Sequence, residues 1–367
     1  MSRFLILDIG AGTMDVLFHD TDSEVYYKAV TKSPTLHLAE EAASLPKNLV
    51  ITGKEMGGGP ISEVLIQRAQ EGEVVMSVSS AATVHHNLDK VRSWGINIVE
   101  DAQAEALKDA NRYSVLTIGD LEIERLKHLF KGLGVSFSFD VVGICAQDHG
   151  TPPEGVSHLD YRHNIFKEIL DENPFPHALL YGSHEIPSTF NRLTSIAQSA
   201  RALPVEEIYV MDSGMAAILG ATMDSQARRK KKLLVLDVAT SHTVGATMEQ
   251  GEIGGFFEYH TRDITLERLE FLLPQLAEGH LEHQQILREG GHGAYTRKAF
   301  GFHAIEIIVA TGPKRELLHG SWLPIVFGAP LGDNMMTGAV GVLEAIGRRK
   351  GLGPMRGAIP GGPRVSR

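Results

Sequence analysis

The sequence predicts an α/β protein of two lobes with a ligand cleft between them, and three observations lead there. Apolar strand-like runs alternate with helix-like stretches along most of the chain. At 367 residues the chain is too long for one ordinary core and suggests two domains, at roughly 100–200 residues each. A unit of apolar strand, terminal aspartate, small or hydroxyl-bearing turn and second strand occurs near residue 10 and again near residue 240.

The chain opens with strands over 4–7, 14–19 and 24–30, bounded by turn residues. Helices at 36–45 and 61–70 then alternate with strands at 48–52 and 74–78, and helices at 83–94 and 121–131 lead to a strand at 138–146. Residues 147–204, rich in His, Pro, Asn and Asp, read as a site-building insert carrying helices at 161–171 and 189–202. The basic run RRKKK at 228–232 reads as a solvated connector before the next strand. The division expected is an N-terminal lobe over 1–205 with an inserted α/β segment, a C-terminal lobe over 206–346, and a disordered basic tail over 347–367.

Composition narrows the function. With 43% hydrophobic and 22% charged residues the chain has the make-up of a globular enzyme. A formal charge of -10 offers neither nucleic acid nor an anionic membrane a general attraction, so neither is an expected partner. The apolar run of MSRFLILDIG is too short for an export signal and no run of about 18 apolar residues occurs, which predicts a cytoplasmic protein. The single cysteine, Cys145, sits in the apolar run VVGICA and reads as a core residue.

The first aspartate unit is LILDIGAGTMDVLF, residues 5–18. Gly10, Ala11 and Gly12 let backbone N–H groups converge on an anion, and Thr13 adds a hydroxyl donor. Asp8 at the strand end suits Mg²⁺, a hard cation that takes carboxylate oxygen and keeps several waters. The second unit, LLVLDVATSHTVGATM over 233–248, repeats the plan with Asp237 and the turn Thr240, Ser241, His242 and Thr243. Two such hairpins facing each other could clamp a phosphate chain from both sides. Neither matches the Gly-Lys-Ser/Thr loop that opens a helix in P-loop proteins.

The order of these motifs resembles the superfamily of actin, heat-shock chaperone ATPases and sugar kinases. Residues 8–15 and 237–244 resemble its two phosphate motifs, MDSGMAAILG at 211–220 and GDNMMTGAVGVLEA at 332–345 its two connecting helices, and IIVATGPKREL at 307–317 its adenosine motif. The resemblance implies two ribonuclease H-like lobes, with ATP and Mg²⁺ in the cleft. By position it puts Asp8 and Asp237 at the metal, Asp212 near the metal and lytic water as a catalytic residue, and Thr311, Gly312, Pro313 and Lys314 beside adenosine. Ala239, Thr240 and Ser241 stand where the chaperones have glycines, and Thr311 replaces the first of two glycines in the adenosine motif. More narrowly the chain resembles a family labelled putative pyruvate formate-lyase activating enzyme. A radical activase needs three cysteines for its iron–sulfur cluster, and one cysteine predicts no such cluster here.

An acceptor site is expected in the insert. Asp148 and His149 follow the strand ending near Cys145, at the sheet end where open α/β folds gather ligands. Asp148 is the candidate general base, with His149, Arg162 and His163 as substrate residues. Capping and surface roles are the competing reading of all four. MGGGP at 56–60 could form an anion nest at a helix start, with Gly58 and Gly59 at the substrate, or be a plain turn.

The function expected is therefore Mg²⁺-dependent ATP binding with phosphoryl transfer to a small metabolite, or ATP hydrolysis that drives a protein partner. Two readings stand beside it: a non-catalytic nucleotide-gated scaffold or filament protein, and a binder of another phosphorylated ligand.

Overall fold

A computed structural model describes residues 2–23, 25–46, 48–153 and 155–352. Strands β1 (Arg3–Ile9), β2 (Thr13–Asp20) and β3 (Val25–Lys32) form an antiparallel meander. The chain then leaves this sheet for a four-stranded parallel one made of β4 (Leu49–Gly53), β5 (Val74–Ser77), β6 (Ile96–Val99) and β7 (Ser114–Ile118), ordered β6-β5-β4-β7. Its central strands β4 and β5 are short and almost wholly buried, as strands covered on both faces require.

The chain returns as β8 (Phe139–Ala146), β9 (Leu180–Gly182) and β10 (Val205–Asp212), completing a sheet ordered β3-β2-β1-β8-β10-β9. It crosses by the helix Ser213–Thr222 into a second sheet built from β11 (Lys232–Val238), β12 (His242–Glu249), β13 (Glu252–His260), β14 (Gly293–Thr296), β15 (Ile307–Thr311) and β16 (Ile325–Phe327). That sheet is ordered β14-β13-β12-β11-β15-β16. Five strands correspond between the sheets: an antiparallel meander of three, then two strands parallel to the first. This repeated pattern is the two-lobed actin-like ATPase architecture, with ribonuclease H-like halves.

The helices Ser213–Thr222 and Thr337–Arg349 lie between the two sheets and share the main core. They cross backbone to backbone. A methyl group on Gly341 would sit 1.8 Å from the Ala216 carbonyl oxygen, and one on Gly220 1.8 Å from that of Thr337. Only glycine at both positions permits this spacing, which keeps the two hairpins close enough to share a cavity.

Some elements differ from expectation. The helix expected over 83–94 is confined to Leu88–Ser93, because the Asn87 side chain accepts the Lys90 N–H and starts the helix there. Residues 347–349, expected in a disordered tail, continue the last helix, held by Arg348 on Glu344 at 2.8 Å and Arg349 on Glu185 at 2.6 Å. Residues 353–367 of that tail lie outside the described residues, as does residue 24 of the expected third strand. Among the described residues no helix is long and apolar enough to cross a membrane.

Candidate functional site

The two hairpins meet at their tips. Each turn closes alike, the Gly10 N–H donating to Thr13 O at 2.9 Å and the Ala239 N–H to His242 O at 3.0 Å. A methyl group on Gly12 would lie 2.9 Å from Thr240 Cγ2, so the first turn rests directly on the second. Beside this contact opens a cavity of about 400 Å³ lined by Asp8, Gly10, Ala11, Thr13, Thr240, Ser241 and His242, together with Gly312, Pro313, Asn334 and Gly338.

Three aspartates face this cavity, and Glu258 lines it too. Asp8 and Asp237 end homologous strands, and β1–β2 pairing sets Asp15 opposite Asp8. Burial pushes Asp8 up to about 7; the Cys145 thiol opposes the shift and the Asp237 charge adds to it. Burial, then the Asp8 charge, pushes Asp15 up to about 8. Burial also lifts Asp237 to about 6, against a 2.8 Å hydrogen bond from Thr311 Oγ1. Asp15 Oδ1 is buried with no hydrogen-bond partner. Three such groups around one space form an electrostatically unfavourable set that a cation would relieve. Asp15 was not singled out from the sequence. The signal was present, since a short turn at 10–12 forces it across from Asp8.

Several expected ligand residues have other partners. Thr243 is buried and its hydroxyl meets Thr261 Oγ1 at 3.0 Å, away from the cavity. Thr311 turns its hydroxyl to Asp237 rather than into the cavity, and Lys314 is exposed and outside the lining. Gly312 and Pro313 do line it.

A second cavity of about 500 Å³ adjoins the first. They share Gly57, Gly58, Gly59, Gln147, Arg192 and His260. The glycine loop therefore forms the ledge between them, at the start of the helix Pro60–Glu71. Arg192 anchors this region through Asp120, at 2.9 Å from Nε and 2.8 Å from Nη2, and through Gln147 O at 2.8 Å.

Asp148 and His149 line the second cavity, as their strand-end position suggested. The general-base role expected for Asp148 meets a carboxylate already engaged at both oxygens, by the Gly150 N–H at 2.8 Å and the Leu193 N–H at 2.9 Å. Burial raises its pKa, and these two N–H donors oppose the rise. Asp212 is likewise engaged, capping its helix through the Met215 N–H at 3.0 Å and pairing with Arg162 at 2.9 Å.

Arg162 is buried and does not face a substrate space. It joins Asp212 to Glu258, whose Oε2 lies 2.5 Å away, while Gln147 Nε2 reaches Glu258 Oε1 at 2.5 Å. Burial alone would raise Glu258, but Arg162 holds it well below the usual carboxylate range. His163 lies in neither cavity lining and stacks on His283 with ring centroids 3.6 Å apart.

A family model described as "Putative pyruvate format-lyase activating enzyme (DUF1786)" matches residues 56–317, more than half of the chain. No curated protein matches. Among solved structures, a PilM–PilN type IV pilus biogenesis complex is similar at 10% identity and TM-score 0.41, covering 95% of this chain and 98% of that one. An AlfA filament from a B. subtilis plasmid is similar at 11% identity and TM-score 0.37, with coverage of 93% and 98%. A protein with actin-like ATPase fold and unknown function from Bacteroides thetaiotaomicron is similar at 8% identity and TM-score 0.36, with coverage of 93% and 95%.

Proposed function

We propose that this chain, which belongs to the family described as "Putative pyruvate format-lyase activating enzyme (DUF1786)", binds ATP with Mg²⁺ between its two hairpins and transfers the terminal phosphoryl group to a small acceptor or to water. The observation that carries the reading is the set of three cavity-facing aspartates beside two touching hairpin turns. An all-oxygen set with an unpartnered buried oxygen on Asp15 fits a hard divalent cation. Asp8, Asp15 and Asp237 would hold it, and Mg²⁺ would supply charge neutralisation for the phosphates.

The chain's own groups do the rest. Backbone N–H groups of residues 11–13 and 240–242 would meet the phosphate oxygens, since the Gly10 N–H already closes its turn on Thr13 O, and Gly312 and Pro313 would flank the nucleoside. Asp212 and Asp148 act as positioning residues, because both oxygens of each are already hydrogen-bonded within the protein. The acceptor would occupy the second cavity, across the ledge of Gly58 and Gly59. The division into lobes, expected at 205/206, is better drawn after Asp212, because β10 pairs with β8 and β9 in the first sheet. The activity in the family's printed description fits the donor set poorly: Cys145 is the chain's single cysteine and lies buried, its thiol on Asp8.

A second reading, another phosphorylated ligand in the same cleft, draws on Thr240, whose side chain fills space beside Gly12 that a glycine would leave open. Calorimetric titration separates the two. Mg²⁺-dependent binding of ATP that vanishes in Asp8→Ala is the expected result, while Mg²⁺-independent binding of phosphorylated metabolites with no response to ATP favours the second reading.

A further inference from the structure

We propose that His242, His260 and His292 form a binding site for one divalent transition-metal ion of the imidazole-preferring kind, such as Zn²⁺, at the wall between the two cavities. This site is separate from the carboxylate set and does not depend on the nucleotide reading.

The three residues converge from distant points in the chain. His242 opens β12 and His260 closes β13, and the strand register pairs them directly. His292 precedes β14 and is held there by its own N–H, which donates to Glu258 O at 2.7 Å. One donor nitrogen from each ring lies within 4.8 Å of the other two. A tetrahedral zinc with bonds of about 2.0–2.1 Å asks for donors ~3.4 Å apart, which ring rotation can provide.

Packing alone leaves a feature unexplained. His242 Nε2 and His292 Nδ1 are both buried with no hydrogen-bond partner, and His292 is only 8% exposed. The carboxylate nearest the latter nitrogen is Glu258 Oε1, at 3.5 Å. Orphaned buried nitrogens are costly in a protein interior, and two of them converging with a third imidazole are what an ion would satisfy.

The surroundings fit metal ligation as well. Ser241 Oγ lies 2.9 Å from His242 Nδ1, which fixes the ring and leaves Nε2 for the ion, the arrangement by which outer hydrogen bonds orient metal-bound imidazoles. Glu258 Oε1, 3.5 Å from His292 Nδ1, adds a negative charge beside the site. Three protein ligands leave a fourth position for water or a substrate oxygen, the pattern of catalytic rather than structural zinc. That position is reachable from both sides, since His242 and His260 line the first cavity and His260 and His292 the second. The ligand class it would take is a small molecule with a carbonyl, carboxylate or phosphoryl oxygen.

The test loads the full-length protein with Zn²⁺, desalts it, and measures bound metal by mass spectrometry and affinity by competition with a chromophoric chelator. Wild type should hold one Zn²⁺ per chain, with a rise in Tm on loading. His260→Ala should weaken Zn²⁺ at least ~100-fold and abolish that rise. His242→Asn provides a second ligand deletion should the first variant misfold. His128→Ala, at an exposed helix position, should match wild type. The proposal is overturned if wild type retains no Zn²⁺, if both ligand variants bind it as wild type does, or if Asp8→Ala rather than His260→Ala loses it.

Discussion

The two hairpins share one topology and carry different chemistry. At the β1–β2 turn the chain supplies glycines and two facing carboxylates, Asp8 and Asp15. At the β11–β12 turn it supplies one carboxylate, hydroxyls and an imidazole, with two further histidines beside it. A common backbone frame thus presents a hard oxygen-donor pole on one side of the cleft and a nitrogen-donor pole on the other. The frame sets where groups point, and residue choice sets what they bind.

One contact that ties the two sheets together is Arg162, whose guanidinium reaches Asp212 at the end of the first sheet and Glu258 in the second. Arg162→Ala leaves two buried carboxylates without their cation and should cost about 3–5 kcal/mol in chemical denaturation. A loss under about 1 kcal/mol would mean that the sheets are held together elsewhere.

The next largest effect should come from the helix crossing that both hairpins rest on. Gly341→Ala forces a methyl group onto the Ala216 carbonyl and should destabilise the fold by about 3 kcal/mol. A neutral result would show that the helices can separate, and with them the two turns.

Thr311→Val sharpens the comparison within the second hairpin. Removing the hydroxyl donor from Asp237 should cost about 1.5–3 kcal/mol where that carboxylate is charged and raise its pKa further. Nucleotide affinity measured across pH should then shift toward alkaline conditions.

A gentler probe is pH itself. Without a cation, burial pushes Asp8, Asp15 and Asp237 up to about 7, 8 and 6, above the ordinary aspartate value of 3.8. The folded state therefore binds more protons than the unfolded one between these values. Stability is fully present below the unfolded pKa and is lost as pH rises through about 6 to 8. Tm should fall across that window, and Asp15→Asn should flatten the decline. An unchanged slope in Asp15→Asn would remove Asp15 from the set.

The oxygen-donor pole was largely legible in the sequence, because a strand ending in aspartate before a glycine turn is a local pattern. Asp15 needed one further step, the register of the hairpin. The nitrogen-donor pole was not legible beyond His242. His260 joins it only through β12–β13 pairing and His292 only through a turn held by Glu258 O, and the spacing of the three matches no metal motif. Arg162 and Asp148 were found as polar residues in a polar insert, one as a substrate residue and the other as a general base, but the hydrogen-bond partners they take come from other elements, which composition does not reveal.

The most direct test of the paired-hairpin site is a crystal structure grown with Mn²⁺ and a non-hydrolysable ATP analogue. The expected result is an anomalous peak among Asp8, Asp15 and Asp237, with the phosphates between residues 10–13 and 240–242. Phosphate density lodged elsewhere, with no peak at those aspartates, would contradict it.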